Sequence, residues 1–173
     1  MADGVDWELC ELEAADETSL REAYRNIYIN EYVNAEIRDW HGRRVLFHRF
    51  TFDHAFSAAT NYRTSAGIHD VALSLPRAQR IYWIRKTLVT EDLDVDVIGQ
   101  VRSDNRGRPR RRRTLIVLDN RYVVVLEVSA RKDCDFEFVT AFPATAAYLL
   151  DIRRGSNVVE KRQRKRKPQS CGD

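Results

Sequence analysis

The block from Arg113 to Pro143, RTLIVLDNRYVVVLEVSARKDCDFEFVTAFP, restricts the fold of this chain more than any other stretch. Thr114–Leu118 and Tyr122–Ser129 are rich in β-branched and other apolar residues, and Asp119-Asn120-Arg121 separates them. A third run, Phe136–Phe142, follows the polar turn Ala130–Asp135. Strand, tight turn, strand, turn, strand predicts a three-stranded antiparallel meander. Thr140 stands in the last run between aromatic residues, either as an ordinary strand former or as a site hydroxyl. It shares period-2 parity with Phe136, Phe138 and Phe142. If those rings fill the core, its hydroxyl faces inward; if Val139 and Ala141 face the helices, it points to the opposite, ligand-ready face.

The 173 residues suffice for one compact core with tails. Before the meander the patterns are helical. Thr18 or Ser19 is an N-cap candidate with Glu22 completing a capping box, and a helix over about Leu20–Glu36 places Tyr24, Tyr28 and Tyr32 four residues apart. Arg44–Phe50 suits a short strand. Thr51 opens a helix through Ala59. Residues 61–73 read as a polar connection, and Ser74 caps a helix over Leu75–Leu88 with Pro76 in its first turn. Leu93–Ile98 alternates like an edge strand. An arginine-rich loop leads into the meander, and Ala144–Leu150 forms a last short helix. Helices first and strands later predict an α+β fold, with N-terminal helices packed on one face of a mostly antiparallel four-stranded sheet. The expected division is an acidic arm over residues 1–17, a single domain over 18–152 and a basic, disordered tail over 153–173.

Charge is unevenly spread behind a net value of +3. Residues 1–22 hold eight acids and one base, residues 153–167 hold eight bases and one acid, and Arg106–Arg113 carries six arginines in eight positions. Such basic blocks favour an anionic partner, nucleic acid first, and the candidate contacts are Arg77, Lys86, Arg110, Arg111, Arg112 and Arg113. The apolar runs are too short to cross a membrane. No signal peptide is visible, and Cys10, Cys134 and Cys171 suit free thiols in a reducing cytoplasm. The expectation is a cytoplasmic protein without a membrane partner.

Nucleotide-binding glycine motifs, the G-x-S-x-G elbow and H-E-x-x-H are absent. His41, His48, His54 and His69 make no metal pattern with Cys or carboxylates, so neither a metal nor a cofactor is expected. A small set of His, Arg and Thr near a sheet in a basic protein suits RNA cleavage. Attack by the ribose 2′-hydroxyl needs a base, an acid for the leaving oxygen and donors for the charged phosphorane. Histidine titrates near neutral pH, arginine clamps phosphate in a fork, and a threonine hydroxyl orients substrate. His54, in the first turn of its helix, also suits a structural histidine, and Arg80 a surface arginine.

Four segments occur in order: His54-Ala55-Phe56-Ser57 preceded by Phe50 and Phe52; Arg77-Ala78-Gln79-Arg80-Ile81-Tyr82-Trp83-Ile84; Tyr122-Val123-Val124-Val125-Leu126; and Phe138-Val139-Thr140-Ala141-Phe142. Together, over about residues 50–152, they resemble the phage-associated nucleases of the barnase–EndoU–colicin–RelE superfamily. The resemblance implies a compact α+β ribonuclease domain. The family's early-helix histidine carries over to His54, its helix arginine to Arg80 and its last-strand hydroxyl to Thr140. It also implies a metal-independent endoribonuclease of toxin or phage-effector type, with tRNA or mRNA as substrate and an antitoxin, immunity or host protein as a further partner. The acidic arm, the long arginine loop and the basic tail depart from the family pattern. Two other readings stand beside it: a non-catalytic nucleic-acid-binding module, and a protein-binding effector or inhibitor.

Overall fold

A computed structural model describes residues 6–58 and 72–165. The fold is α+β, but the sheet has seven strands rather than the expected four. The strands are β1 (Ile37–Arg38), β2 (Arg44–Leu46), β3 (Val95–Ser103), β4 (Pro109–Val117), β5 (Tyr122–Val128), β6 (Phe136–Pro143) and β7 (Asn157–Arg162). Their order is β1-β2-β6-β5-β4-β3-β7. The meander β3–β6 is antiparallel throughout, as its turns require, and β2 joins β6 in parallel.

The helices are α1 (Glu17–Tyr28), continued by a π-helical turn over Ile29–Val33, then α2 (Thr51–Phe56), α3 (Leu75–Ala78), α4 (Ile81–Val89) and α5 (Ala146–Arg153). Those before the meander bury one face of the sheet, and Ile152 of α5 packs on the other with Ile98, Ile116, Val123 and Val125. The tyrosine stripe is the hub of the main core. Tyr24, Tyr28 and Tyr32 are at most 1% exposed. Tyr28 lies with ring centroids 5.7–6.3 Å from Phe47, Phe52, Phe56 and Phe138.

Several expected boundaries are corrected. Asp16, not Thr18 or Ser19, caps α1; its carboxylate accepts from the Ser19 amide at 2.7 Å. An anionic cap suits a helix N-terminus at least as well as a hydroxyl. The expected Leu75–Leu88 helix is broken at Gln79-Arg80, where Arg80 takes φ −98°, ψ 20°. Arg110–Arg113 lie in β4, not in a loop, because the β3–β4 hairpin turns over only Asp104–Arg108. The segment assigned to a tail contains the end of α5 and then β7, which pairs with β3 from Val95 to Gly99. Gly99 permits this: a Cβ there would meet Val159 Cγ1 at 2.8 Å. Arg162, 6% exposed, locks the strand by donating to the carbonyls of Thr87 and Thr90 at the end of α4, with its guanidinium 3.9 Å from the Trp40 ring. A buried arginine is tolerated where carbonyls accept its hydrogen bonds. From Asp6 on, the described part of the arm has no strand. It lies along α4, with Trp7 edge-on to Trp83 and the Trp83 indole donating to the Glu8 carbonyl at 2.9 Å. Cys10 and Cys134 are free thiols. Most of the polar connection, the last residues of the tail and Cys171 lie outside the described residues.

Asp53, in the first turn of α2, ties that helix to α1. It accepts from Arg25 at 2.9 and 3.1 Å and from Arg21 at 3.2 Å. Burial pushes its carboxyl up, but the hydrogen bonds and charges of Arg25 and then Arg21 outweigh this, and it titrates below the ordinary carboxylate range. A carboxyl depressed on folding stabilises the protein above its unfolded pKa and loses that contribution as pH falls through the folded value. Asp53→Asn is therefore expected to lower stability at pH 7 and to flatten its decline below about pH 4, as urea melts across pH would read.

Candidate active site

The site lies on the face of the meander turned away from the tyrosine core, and a bulge in β6 creates it. Val125 pairs with Thr140, but Leu126 pairs with Phe138, so Val139 is an extra residue in β6. The insertion reverses the alternation. Phe136, Phe138 and Ala141 point into the main core, whereas Phe142 packs with Val123 and Val125 on the other face. Thr140, opposite Val125, joins that second face. Neither of the two parities read from the sequence holds along the whole strand.

Strand alternation supplies the floor. Ile98, Gln100 and Arg102 of β3 stand opposite Thr114, Arg112 and Arg110 of β4, and Arg112 and Thr114 in turn stand opposite Glu127 and Val125 of β5. The walls come from helices. Along β6, β2 pairs only with Phe136 and Glu137, and α2 and α3 pack against that strand. From there His54 and Arg77 reach round to the second face. Arg77 is held by a hydrogen bond to the Ala55 carbonyl at 3.2 Å and by the Phe142 ring, 5.3 Å from its guanidinium. Tyr148 of α5 closes the far side, its ring 5.3 Å from that of Phe142.

The result is a cleft of about 180 Å³ lined by His54, Arg77, Gln100, Arg102, Arg112, Thr114, Val125, Thr140, Phe142 and Tyr148. Three guanidinium groups, an imidazole and two threonines converge on it. Its floor is tethered: Thr114 donates to Gln100 Oε1 at 3.4 Å, and the Gln100 amide donates to Ser156 at 3.3 Å. Two groups keep hydrogen-bonding capacity in reserve. Thr140 Oγ1 and Arg112 Nε are buried, and neither has a hydrogen-bond partner among the described residues. Arg112 Nε stands 3.8 Å from Glu127 Oε2, as an ion pair only. Buried polar atoms are rarely left unmatched; Arg80 Nε, Asn120 Nδ2 and Arg162 Nε share that condition outside the cleft, and the place of Thr140 and Arg112 in its lining makes this pair the candidate donors to a ligand or water.

The structure thus brings His54, Thr140, Arg77 and Arg112 together and leaves the other expected residues elsewhere. On an unbroken helix Arg77 and Arg80 would share a face, but the break after Ala78 separates them. Arg80 turns away to donate to the Pro76 carbonyl at 2.7 Å and to lie over Trp83 at 4.9 Å. Lys86 donates to the carbonyl of Asp6 in the arm. Alternation also divides the arginine run. Arg110 shares the side of Arg112 but is engaged by Asp104 and by Glu127, at 3.2 Å from the latter. Arg111 and Arg113 point to the opposite side, where Arg113 borders Asp39, Trp40 and Glu160. Gln100, Arg102, Thr114 and Tyr148 were not singled out by sequence. Gln100 and Arg102 alternate with Gly99 and Val101 in β3, but the four consecutive arginines of β4 show no alternation that would mark one face.

Comparison with protein-family models, curated proteins and solved structures finds no match for this chain. No described helix is long and apolar enough to cross a membrane.

Proposed function

We propose that the chain is a metal-independent endoribonuclease acting at this cleft. The observation that carries the reading is the convergence of His54, Thr140 and the guanidinium groups of Arg77, Arg102 and Arg112 on one phosphate-sized hollow. The arginines hold a backbone phosphate and neutralise the charge that grows on its equatorial oxygens. Thr140 Oγ1 and Arg112 Nε supply hydrogen bonds that the described chain leaves unused. The ribose 2′-oxygen bonds to phosphorus, the bond from phosphorus to the 5′-oxygen breaks, and a 2′,3′-cyclic phosphate forms. One proton leaves the 2′-hydroxyl and one reaches the 5′-oxygen. His54 carries one of these transfers as base or acid, and water carries the other. Arg77 takes the clamping role that the family resemblance gave to Arg80. The toxin or phage-effector setting, an antitoxin or immunity partner and a cytoplasmic location remain part of this proposal.

The test is incubation of EDTA-treated protein with RNA and DNA of one sequence. RNA is expected to be cut and DNA to stay whole, because only RNA carries the attacking hydroxyl. Arg112→Gln is expected to weaken RNA binding on the order of tenfold, the scale of one charge-assisted hydrogen bond, and to reduce its salt dependence. Tight, salt-sensitive binding with both polymers intact would assign the chain to the non-catalytic binding modules instead.

A further inference from the structure

A second hollow adjoins the arginine cleft and has the opposite character. It measures about 360 Å³ and is lined by His48, Phe50, Thr51, His54, Glu127, Glu137, Phe138 and Val139. His54 belongs to both hollows, and the contact of Arg112 with Glu127 at 3.8 Å joins their floors. One side therefore presents cations and the other presents carboxylates and an aromatic ring.

That ring is Phe50. At 75% exposed it is the most open large apolar residue among those described. A lone exposed apolar residue is ordinary; this one is held in place. It stacks on the His48 ring with centroids 4.9 Å apart and planes 12° from parallel. His48 Nε2 lies 3.1 Å from Glu137 Oε2, and Glu137 Oε1 accepts from the Ser129 hydroxyl at 2.7 Å. Ring, imidazole, carboxylate and hydroxyl form a fixed chain rising from β6 to the rim. A pre-positioned aromatic surface is what a nucleobase stacks on. The carboxylates of Glu127 and Glu137 repel phosphate but accept hydrogen bonds from amino groups.

Resting on the ribonuclease reading, we propose that this hollow is a nucleobase subsite: it takes an amino-bearing base next to the phosphate in the arginine cleft, stacked on Phe50 and donating its amino N–H to Glu137. Adenine, cytosine and guanine carry that exocyclic amine and uracil does not. Charge fixes the orientation of the strand, since the backbone follows the arginines and the base falls on the carboxylate side.

The test is equilibrium binding of tetradeoxynucleotides, which lack the 2′-hydroxyl and cannot be cleaved by the proposed route. Four of equal charge are compared: all-adenine, all-cytosine, all-uracil and abasic. The native protein is expected to bind the uracil tetramer about tenfold more tightly than the abasic one, the scale of one base stacked on an aromatic ring, and the adenine and cytosine tetramers more tightly still. Phe50→Ala is expected to bring all four close to the abasic value, and Phe50→Trp to keep the preference. Glu137→Gln keeps a neutral acceptor oxygen and a partner for His48, so it is expected to reduce the advantage of adenine and cytosine over uracil while the gain of uracil over the abasic tetramer persists. Equal binding of the abasic and base-bearing tetramers by the native protein, or a preference that survives Phe50→Ala, overturns the subsite and leaves the arginine cleft standing. No binding of any of the four, together with intact RNA in the cleavage assay, overturns both.

Discussion

His54→Ala is expected to lower the rate of RNA cleavage by about 10²–10⁴-fold, the usual contribution of a positioned general acid or base, while RNA affinity stays within a few-fold. The separation of the two quantities matters more than the size of the loss. His54 borders the cleft from α2, whereas the positive charge that attracts RNA comes from Arg77, Arg102 and Arg112. Losing the imidazole should therefore strike the chemical step and spare binding. Alanine is a good helix former, and the position is half-buried, so an unchanged far-UV spectrum is expected. Rates under single turnover and affinities by filter binding would read the two effects separately. A parallel loss of both would mean that the residue supports the fold or the RNA rather than the chemistry.

Tyr28→Ala is expected to destabilise the protein by about 3–5 kcal/mol, the range for removing a large buried aromatic side chain. Tyr28 is fully buried at the point where α1, α2, β6 and the segment after β2 at Phe47 meet. Its hydroxyl donates to the His48 carbonyl at 3.1 Å, which fixes the backbone just before α2. The net stability of a domain is only about 5–15 kcal/mol, so the loss should appear as a fall in Tm of roughly 6–20 °C. Tyr28→Phe keeps the ring and gives up one hydrogen bond, and is expected to cost about 1 kcal/mol. Calorimetry of the two variants distinguishes ring packing from hydroxyl anchoring. A small effect of the alanine change would contradict the placement of the core around this ring.

Local pattern made the meander and the tyrosine stripe readable. Apolar, β-branched runs divided by Asp119-Asn120-Arg121 fold as strands on either side of a turn in which Arg121 takes φ 55°. Residues four apart on a helix, Tyr24, Tyr28 and Tyr32, bury one continuous face. His54 and Thr140 were also reached from sequence, and they share a cleft. What stayed hidden depends on partners distant in the chain. The β6 bulge is set by pairing with β5 and leaves no mark in the sequence FVTAF, where strict alternation puts Thr140 on the side of Phe138. The break that separates Arg77 from Arg80 falls after Pro76, in a stretch from Arg77 to Val89 that holds neither glycine nor proline. Strand β7 looks too charged to pack because its buried member is an arginine, whose two terminal nitrogens donate to carbonyls of residues more than seventy positions earlier.

The chemistry of the cut ends tests the cleft most directly. RNA digested in EDTA by the native protein, resolved by mass spectrometry, is expected to yield 2′,3′-cyclic phosphate on one fragment and 5′-hydroxyl on the other, and His54→Ala to yield neither above background. Ends bearing 3′-hydroxyl and 5′-phosphate would show attack by water rather than by the ribose and would contradict the account, as would native protein that binds RNA and leaves it whole.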